Sequence, residues 1–336
     1  MALICNQYMI HFIRFSDKEG GVILKTQRFR VSFYLVFIII MLIVAFAASA
    51  SGEPMAYTDA LGRAVDLSNH DRVIAAPGSF AEVWVLAGGQ LVGATRDAFE
   101  EGRIAIGPMD LGSLKDPNLE TILALSPDLA ILNAETPGQV RLDEPLRAAG
   151  VETCYFTVET FGDYLSMLET LTQATGCADL YESNGLAVQS RIAAAIERAA
   201  GHSPPSVLLL RAHSTGLDVL VSDSMAGAML RDMGCVNIAE QSPSLLHQLS
   251  LESILMLNPD YIFITVMGSA ENAMASIAAL LTDNPAWASL SAVRNGRYII
   301  LPKELFHLKP NARWGEAYEI LADILYPDSN YGTEGE

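Results

Sequence analysis

Apolar and polar positions along this chain follow two rhythms. Apolar-rich segments at 72–76, 91–94, 129–132, 151–156, 207–210, 261–266 and 297–301 read as strands, and the runs at 129–132 and 261–266 suit burial on both faces of a parallel sheet. Between them, apolar residues recur at helical spacing over 79–87, 139–149, 161–174, 178–200, 225–233, 273–281 and 315–325. Gly88-Gly89, Gly150 and Gly201-His202-Ser203-Pro204-Pro205 punctuate the pattern. A looser alternation over 57–67, with turn residues at 59–62, predicts an N-terminal hairpin. Strands alternating with helices predict an α/β fold. The helix over 178–200 would be about 35 Å long if continuous, and it precedes the strongest break in the pattern. The expected layout is therefore an N-terminal α/β lobe over 51–176, an inter-lobe helix over 177–203, a C-terminal α/β lobe over 204–328 and a tail over 329–336.

One segment occurs twice. Leu119-Glu120-Thr121-Ile122-Leu123-Ala124-Leu125-Ser126-Pro127-Asp128 returns 132 positions later as Leu251-Glu252-Ser253-Ile254-Leu255-Met256-Leu257-Asn258-Pro259-Asp260, with seven of ten positions identical. Asn118 and Ser250 precede the copies and suit helix caps. Pro127 and Pro259 bias the residue before them away from helical geometry, so each helix stops there. An apolar run follows each stop. One long-spaced repeat with no third copy argues for two related lobes and against a solenoid.

At 336 residues and 51% hydrophobic, the chain can bury a sizeable core. The formal charge is −18, made up of +3 over the first 50 residues and −21 over the rest. Such acidity speaks against nucleic acid as a partner and reads as solubility. Lys25, Arg28 and Arg30 precede an apolar stretch over 31–48, and Ala48-Ser49-Ala50 has small-residue cleavage character. Residues 1–50 thus read as an export signal, either cut or kept as a membrane anchor. Cys154, Cys177 and Cys235 show no C-x-x-C spacing and read as small core residues with room for one disulfide. Histidines at 11, 70, 202, 213, 247 and 307 show no metal-ligand spacing. P-loop, dinucleotide, H-E-x-x-H and nucleophile-elbow motifs are absent, and no cofactor is expected.

The segments over 72–95, 111–132, 218–239, 249–264, 284–302 and 305–328, in that order, resemble the substrate-binding proteins of iron-chelate and cobalamin ABC importers. The resemblance runs from about Tyr57 to Asp328. It implies a class III periplasmic-binding-protein fold: two Rossmann-like lobes with central parallel sheets, one long rigid helix joining them, and a ligand cleft between them with little hinge closure. In that family an acidic residue at the place of Glu120 and of Glu252 pairs with arginines on the two permease subunits. A first-turn Glu is also favoured by the helix dipole alone, by about 0.3–1 kcal/mol. As a matched pair on two lobes, the docking role is preferred.

Loops that follow strands should line the cleft. In the first lobe these offer Ser79, Phe80, Arg96, Asp97, Met109 and Asp110, and in the second His213, Ser214, Asp223, Ser224, Met225, Met267 and Gly268. The 305–314 loop adds Phe306, His307, Lys309 and Arg313. Aromatic and Met side chains would cover an apolar surface, while Arg and Lys would pair with carboxylate or phosphate edges. Met225 and Trp314 fit a core as readily, Arg313 fits a structural bond, and His307 reads as a hydrogen-bonded residue and not a metal ligand. The implied partners are an ABC permease dimer with its ATPase subunits and a small metal chelate, bound by a monomer. Ferric siderophore, haem, corrinoid and an oxyanion all fit. A chelatase-like enzyme and a membrane-anchored chelate sensor are the alternatives. The enzyme would need an acid–base pair in the cleft, and the sensor would have no use for both glutamates.

Overall fold

The computed structural model describes residues 56–242 and 250–327, which lie within one compact unit, Pro54–Glu336. The expected signal or anchor over 1–50 and the tail over 329–336 lie outside the described residues. Among the described residues no helix is long and apolar enough to cross a membrane.

Two five-stranded sheets build the lobes. The first runs Met109–Asp110, Leu91–Ala94, Val73–Ala75, Leu129–Asn133, Glu152–Phe156, with every pairing parallel. The second runs Gly216–Leu220, Ser206–His213, Tyr261–Val266, Tyr298–Ile300, with Val236–Asn237 also paired to Ser206–His213. Its Gly216–Leu220 strand is antiparallel and was not expected. That strand is half-buried along its length, so it carries no unbroken apolar run. The expected N-terminal hairpin forms from Ala56–Thr58 and Ala64–Asp66.

Alternate residues of each strand enter different cores, as pleating requires. Val73, Ala75, Val207 and Leu209 face one core, Ile74 a second, and Leu208 and Leu210 a third. The first core passes from lobe to lobe through Val188, Ile192, Trp314 and Leu321. A shared core resists relative motion of the lobes, because separating them would expose apolar surface to water.

The connection is more than one uniform helix. Ala178–Tyr181 passes through a π-helical turn, Glu182–Leu186, into Ala187–Glu197. The Trp314–Leu325 helix lies along it, tied by Arg191–Glu319 at 2.7 Å and Arg198–Asp323 at 2.6 Å. Gly315 permits the approach, since a Cβ there would sit 3.0 Å from the Arg191 Cβ. The helix expected over 139–149 is two, Pro137–Val140 and Asp143–Ala148. Pro145 lacks a backbone donor and is tolerated only in a first turn, so a new helix starts just before it. Cys154, Cys177 and Cys235 are all free thiols, so the disulfide does not form.

Both copies of the repeat fold alike. Asn118 Oδ1 accepts the Thr121 N–H at 2.8 Å, and Ser250 Oγ accepts the Ser253 N–H at 3.3 Å. The helices are Leu119–Ala124 and Leu251–Leu257, each anchored by a fully buried isoleucine, Ile122 or Ile254. Ser126 and Asn258 then turn with φ of 47° and 41°, just before the prolines. Asn118→Ala or Ser250→Ala is expected to lower stability by about 1 kcal/mol each, read as the shift in the urea midpoint at constant slope.

Candidate functional site

Parallel strands deliver their following loops to one edge of each sheet. In the second lobe the register aligns Ala212 with Val266 and Ile264 with Ile300. The Met267 N–H then bonds the Ala212 carbonyl and the Leu301 N–H that of Ile264, both at 2.8 Å. Arg211, His213, Met267, Gly268 and Lys303 therefore meet at that edge. Arg211 Nη2 donates to Asp218 Oδ2 at 2.8 Å, and His213 Nε2 lies 3.5 Å from the same carboxylate. The Arg211 hydrogen bond holds the Asp218 carboxyl below its usual pKa. Lys303 Nζ donates to the Gly268 carbonyl at 3.1 Å. His307 follows the Lys303–Phe306 helix and is half-buried. Burial first, then the Lys303 and Arg211 charges, lower its pKa from the ordinary imidazole value.

The first lobe's edge is more neutral. Arg96 Nε donates to Asp110 Oδ2 at 3.0 Å, and the Gly112 N–H donates to Asp110 Oδ1 at 2.7 Å. These bonds, that of Gly112 foremost, hold the Asp110 carboxyl below its usual pKa. Met109 beside it is 52% exposed. Asp97 caps the neighbouring helix, accepting the Gly78 N–H at 2.8 Å. Only glycine fits at 78, because a Cβ would lie 2.5 Å from the Ala98 amide.

The 305–313 segment spans both lobes. Asn311, almost fully buried with φ of 51°, donates from Nδ2 to the Ser79 carbonyl and to Glu82 Oε2, both at 2.8 Å. Arg103 Nη1 donates to Glu82 Oε2 at 2.6 Å and to the Lys309 carbonyl at 3.0 Å. Burial lowers the Lys309 pKa, opposed by Glu135, Glu159 and Asp163 of the first lobe. A cavity of about 260 Å³ is walled by Phe161 and Glu159 of the first lobe, Ile192 of the connecting helix, Met225 and Asp232 of the second lobe, and Trp314 and Tyr318.

Residues 94–305, more than half of the chain, match the family described as periplasmic binding protein. The chain belongs to that family. Two relatives of this periplasmic binding protein come from Bacillus subtilis (strain 168). The Fe(3+)-citrate-binding protein YfmC is 25% identical over 191 residues, 56% of this chain and 57% of that one. The petrobactin-binding protein YclQ is 27% identical over 205 residues, 59% of this chain and 62% of that one. The chain thus spans about three fifths of the length of these relatives. Among solved structures, the periplasmic catecholate-siderophore binding protein VctP from Vibrio cholerae shares the fold. Its TM-score is 0.64 at 16% identity, covering 81% of this chain and 99% of that one. The family is one of extracytoplasmic binding proteins.

Not every residue expected on the cleft wall of this periplasmic binding protein is there. Phe80, 1% exposed, stacks edge-on to Phe156, and Phe306, 3% exposed, lies in the same core. Neither offers surface to a ligand, since an aromatic ring beside a strand end is drawn into the apolar side. Ser79 is buried and contributes its carbonyl to Asn311. Ser224 caps the Met225–Asp232 helix, and Arg313 pairs with Glu316 at 2.7 Å. Arg96, Met109, His213, Met225, Met267, His307 and Lys309 keep accessible surface at the lobe edges or cavity. Ser214 and Asp223 are exposed loop residues. Arg211, Lys303, Glu135 and Glu159 were missed, although each stands near the end of an apolar run, where a charge cannot belong to the core. Glu120 and Glu252 are exposed in the first turns of their helices and make no ion pair within the described residues. Among the described residues no three His, Cys, Asp or Glu side chains are placed to hold a metal ion.

Proposed function

We propose that this protein is the substrate-binding protein of an ABC importer, capturing a metal chelate outside the cytoplasm and handing it to a permease dimer with its ATPase subunits. The carrying observation is the duplicated capped helix, which sets on each lobe an exposed glutamate, Glu120 and Glu252, with no ion pair among the described residues. A carboxylate in the first turn of a short helix costs little to hold there, and two such charges give register to a two-fold partner where one cannot. The similarity to ferric-citrate and petrobactin binders supports an iron chelate as the cargo. Between the lobe edges, Arg96, Met109, His213, Met267, His307 and Lys309 are the ligand-facing set, with Met225 and Trp314 at the cavity. Residues 31–48 act as export signal or membrane anchor, and the protein works as a monomer.

Trp314 lines the cavity, so its fluorescence is the natural reporter. Titrating the purified protein with ferric citrate, a ferric catecholate siderophore, haem, cobalamin and molybdate should give saturable quenching at sub-micromolar concentration with one of the chelates. Silence across the whole panel would overturn the capture role.

A further inference from the structure

The two copies of the repeat are unequal where they meet solvent. Three of the ten paired positions differ. Thr121 against Ser253 and Ser126 against Asn258 exchange one short polar side chain for another, whereas Ala124 is matched by Met256. Met256 stands four residues after Glu252, and residues so spaced lie side by side on one helix face, with Cβ atoms about 5–6 Å apart. Its side chain is 81% exposed, and of the large apolar residues among those described only Ile106, at 97%, is more so. Ile106 belongs to a loop. Met256 is held on a helix whose opposite face is fixed by the buried Ile254.

The backbone does not require a methionine there. Alanine and methionine both favour helices, and Ala124 serves the same position in the first copy. A single exposed apolar residue is ordinary on a protein surface. An exposed methionine one turn from a carboxylate that recurs in the other lobe is a more specific arrangement. The flexible thioether moulds to an irregular partner surface, and methionine is enriched where proteins meet.

We propose that Met256 is an apolar anchor for the permease, entering an apolar recess beside the cation that Glu252 meets. The inference rests on the docking role of Glu120 and Glu252 given above and adds the chemistry of the second lobe's contact. One permease subunit covers this helix face. An ion pair that solvent reaches sets encounter and register but contributes little affinity. An apolar side chain buried beside it excludes water from the pair and supplies affinity of its own. The first-lobe helix, with Ala124 at the matching place, has the charge without the anchor, so the second lobe grips the partner more tightly.

The test measures uptake of radiolabelled ferric citrate, a ferric catecholate siderophore, haem and cobalamin by cells that carry each variant of the full chain in place of the natural gene. Expression is kept low enough that docking limits the rate. Met256→Gln keeps side-chain length and helix propensity and removes the apolar character. It should lower uptake about tenfold, the worth of burying one such side chain, with chelate affinity by tryptophan fluorescence and the urea midpoint both unchanged. Met256→Leu, which keeps the apolar volume, should restore most of the uptake. Wild-type uptake with Met256→Gln would overturn the anchor, as would a Met256→Leu variant no better than Met256→Gln. A fall in chelate affinity or in the urea midpoint would overturn it too, by placing Met256 in the ligand site or the core. Docking itself survives those results if the double reversal of Glu120 and Glu252 to Arg still abolishes uptake. Wild-type uptake in that double variant would overturn the docking role and the anchor with it, and no uptake of any probe by wild-type cells would overturn the capture role.

Discussion

Glu120→Arg combined with Glu252→Arg is expected to abolish chelate uptake by whole cells while leaving affinity for the chelate within a few-fold. Both carboxylates are exposed, and neither is one of the proposed ligand-facing residues. Reversal puts a cation in each first turn, against the helix dipole, at about 0.3–1 kcal/mol per site. The fold tolerates that. A basic partner surface does not, because like-charge juxtaposition costs several kcal/mol per contact, enough for a loss of about a hundredfold or more. Each single reversal should fall between wild type and the double variant. Uptake assays paired with ligand titrations separate the outcomes: wild-type uptake, or loss of ligand binding in the double variant, would sink the docking assignment.

Removal of the Glu82 carboxylate should destabilise the protein by about 2–4 kcal/mol. Glu82 Oε2 accepts from both Arg103 and Asn311, and the Arg103 side chain is only 9% exposed. Breaking a buried pair from one side costs about 3–5 kcal/mol, because the remaining charge stays desolvated. Here Glu101 still bonds Arg103 Nε at 2.6 Å, and Glu82 itself is 20% exposed, so the cost lies toward the low end. Asn311 would also lose one of its two acceptors, leaving the 305–313 segment less firmly held to the first lobe. Urea unfolding of Glu82→Ala, Arg103→Leu and the double variant measures the coupling. The double variant should cost clearly less than the two singles together. Additive losses would mean the three groups do not act as a brace.

The features legible from the chain alone were local. Caps at Asn118 and Ser250, stops before Pro127 and Pro259, and the run over 261–266 were legible because each rests on residues within a few positions of one another. The repeat carried further still: two copies of one capped helix and buried strand implied two lobes and a paired glutamate. The family resemblance then supplied the expectation of a cleft. Legibility failed wherever a side chain's direction depended on a distant neighbour. Phe80 and Phe306 sit beside strand ends, as ligand contacts would, yet tertiary packing turned both inward. Arg211 and Lys303 lie 92 positions apart in the chain, and only the register of Tyr261–Val266 between their strands brought them to one edge. Asn311 reaches Glu82 across 229 positions. A hydrophobic rhythm states which face of an element is buried, because burial follows the period of the backbone. It does not state which faces meet, because that is settled by strand order and the packing of whole elements, and the charge of the candidate site is set there.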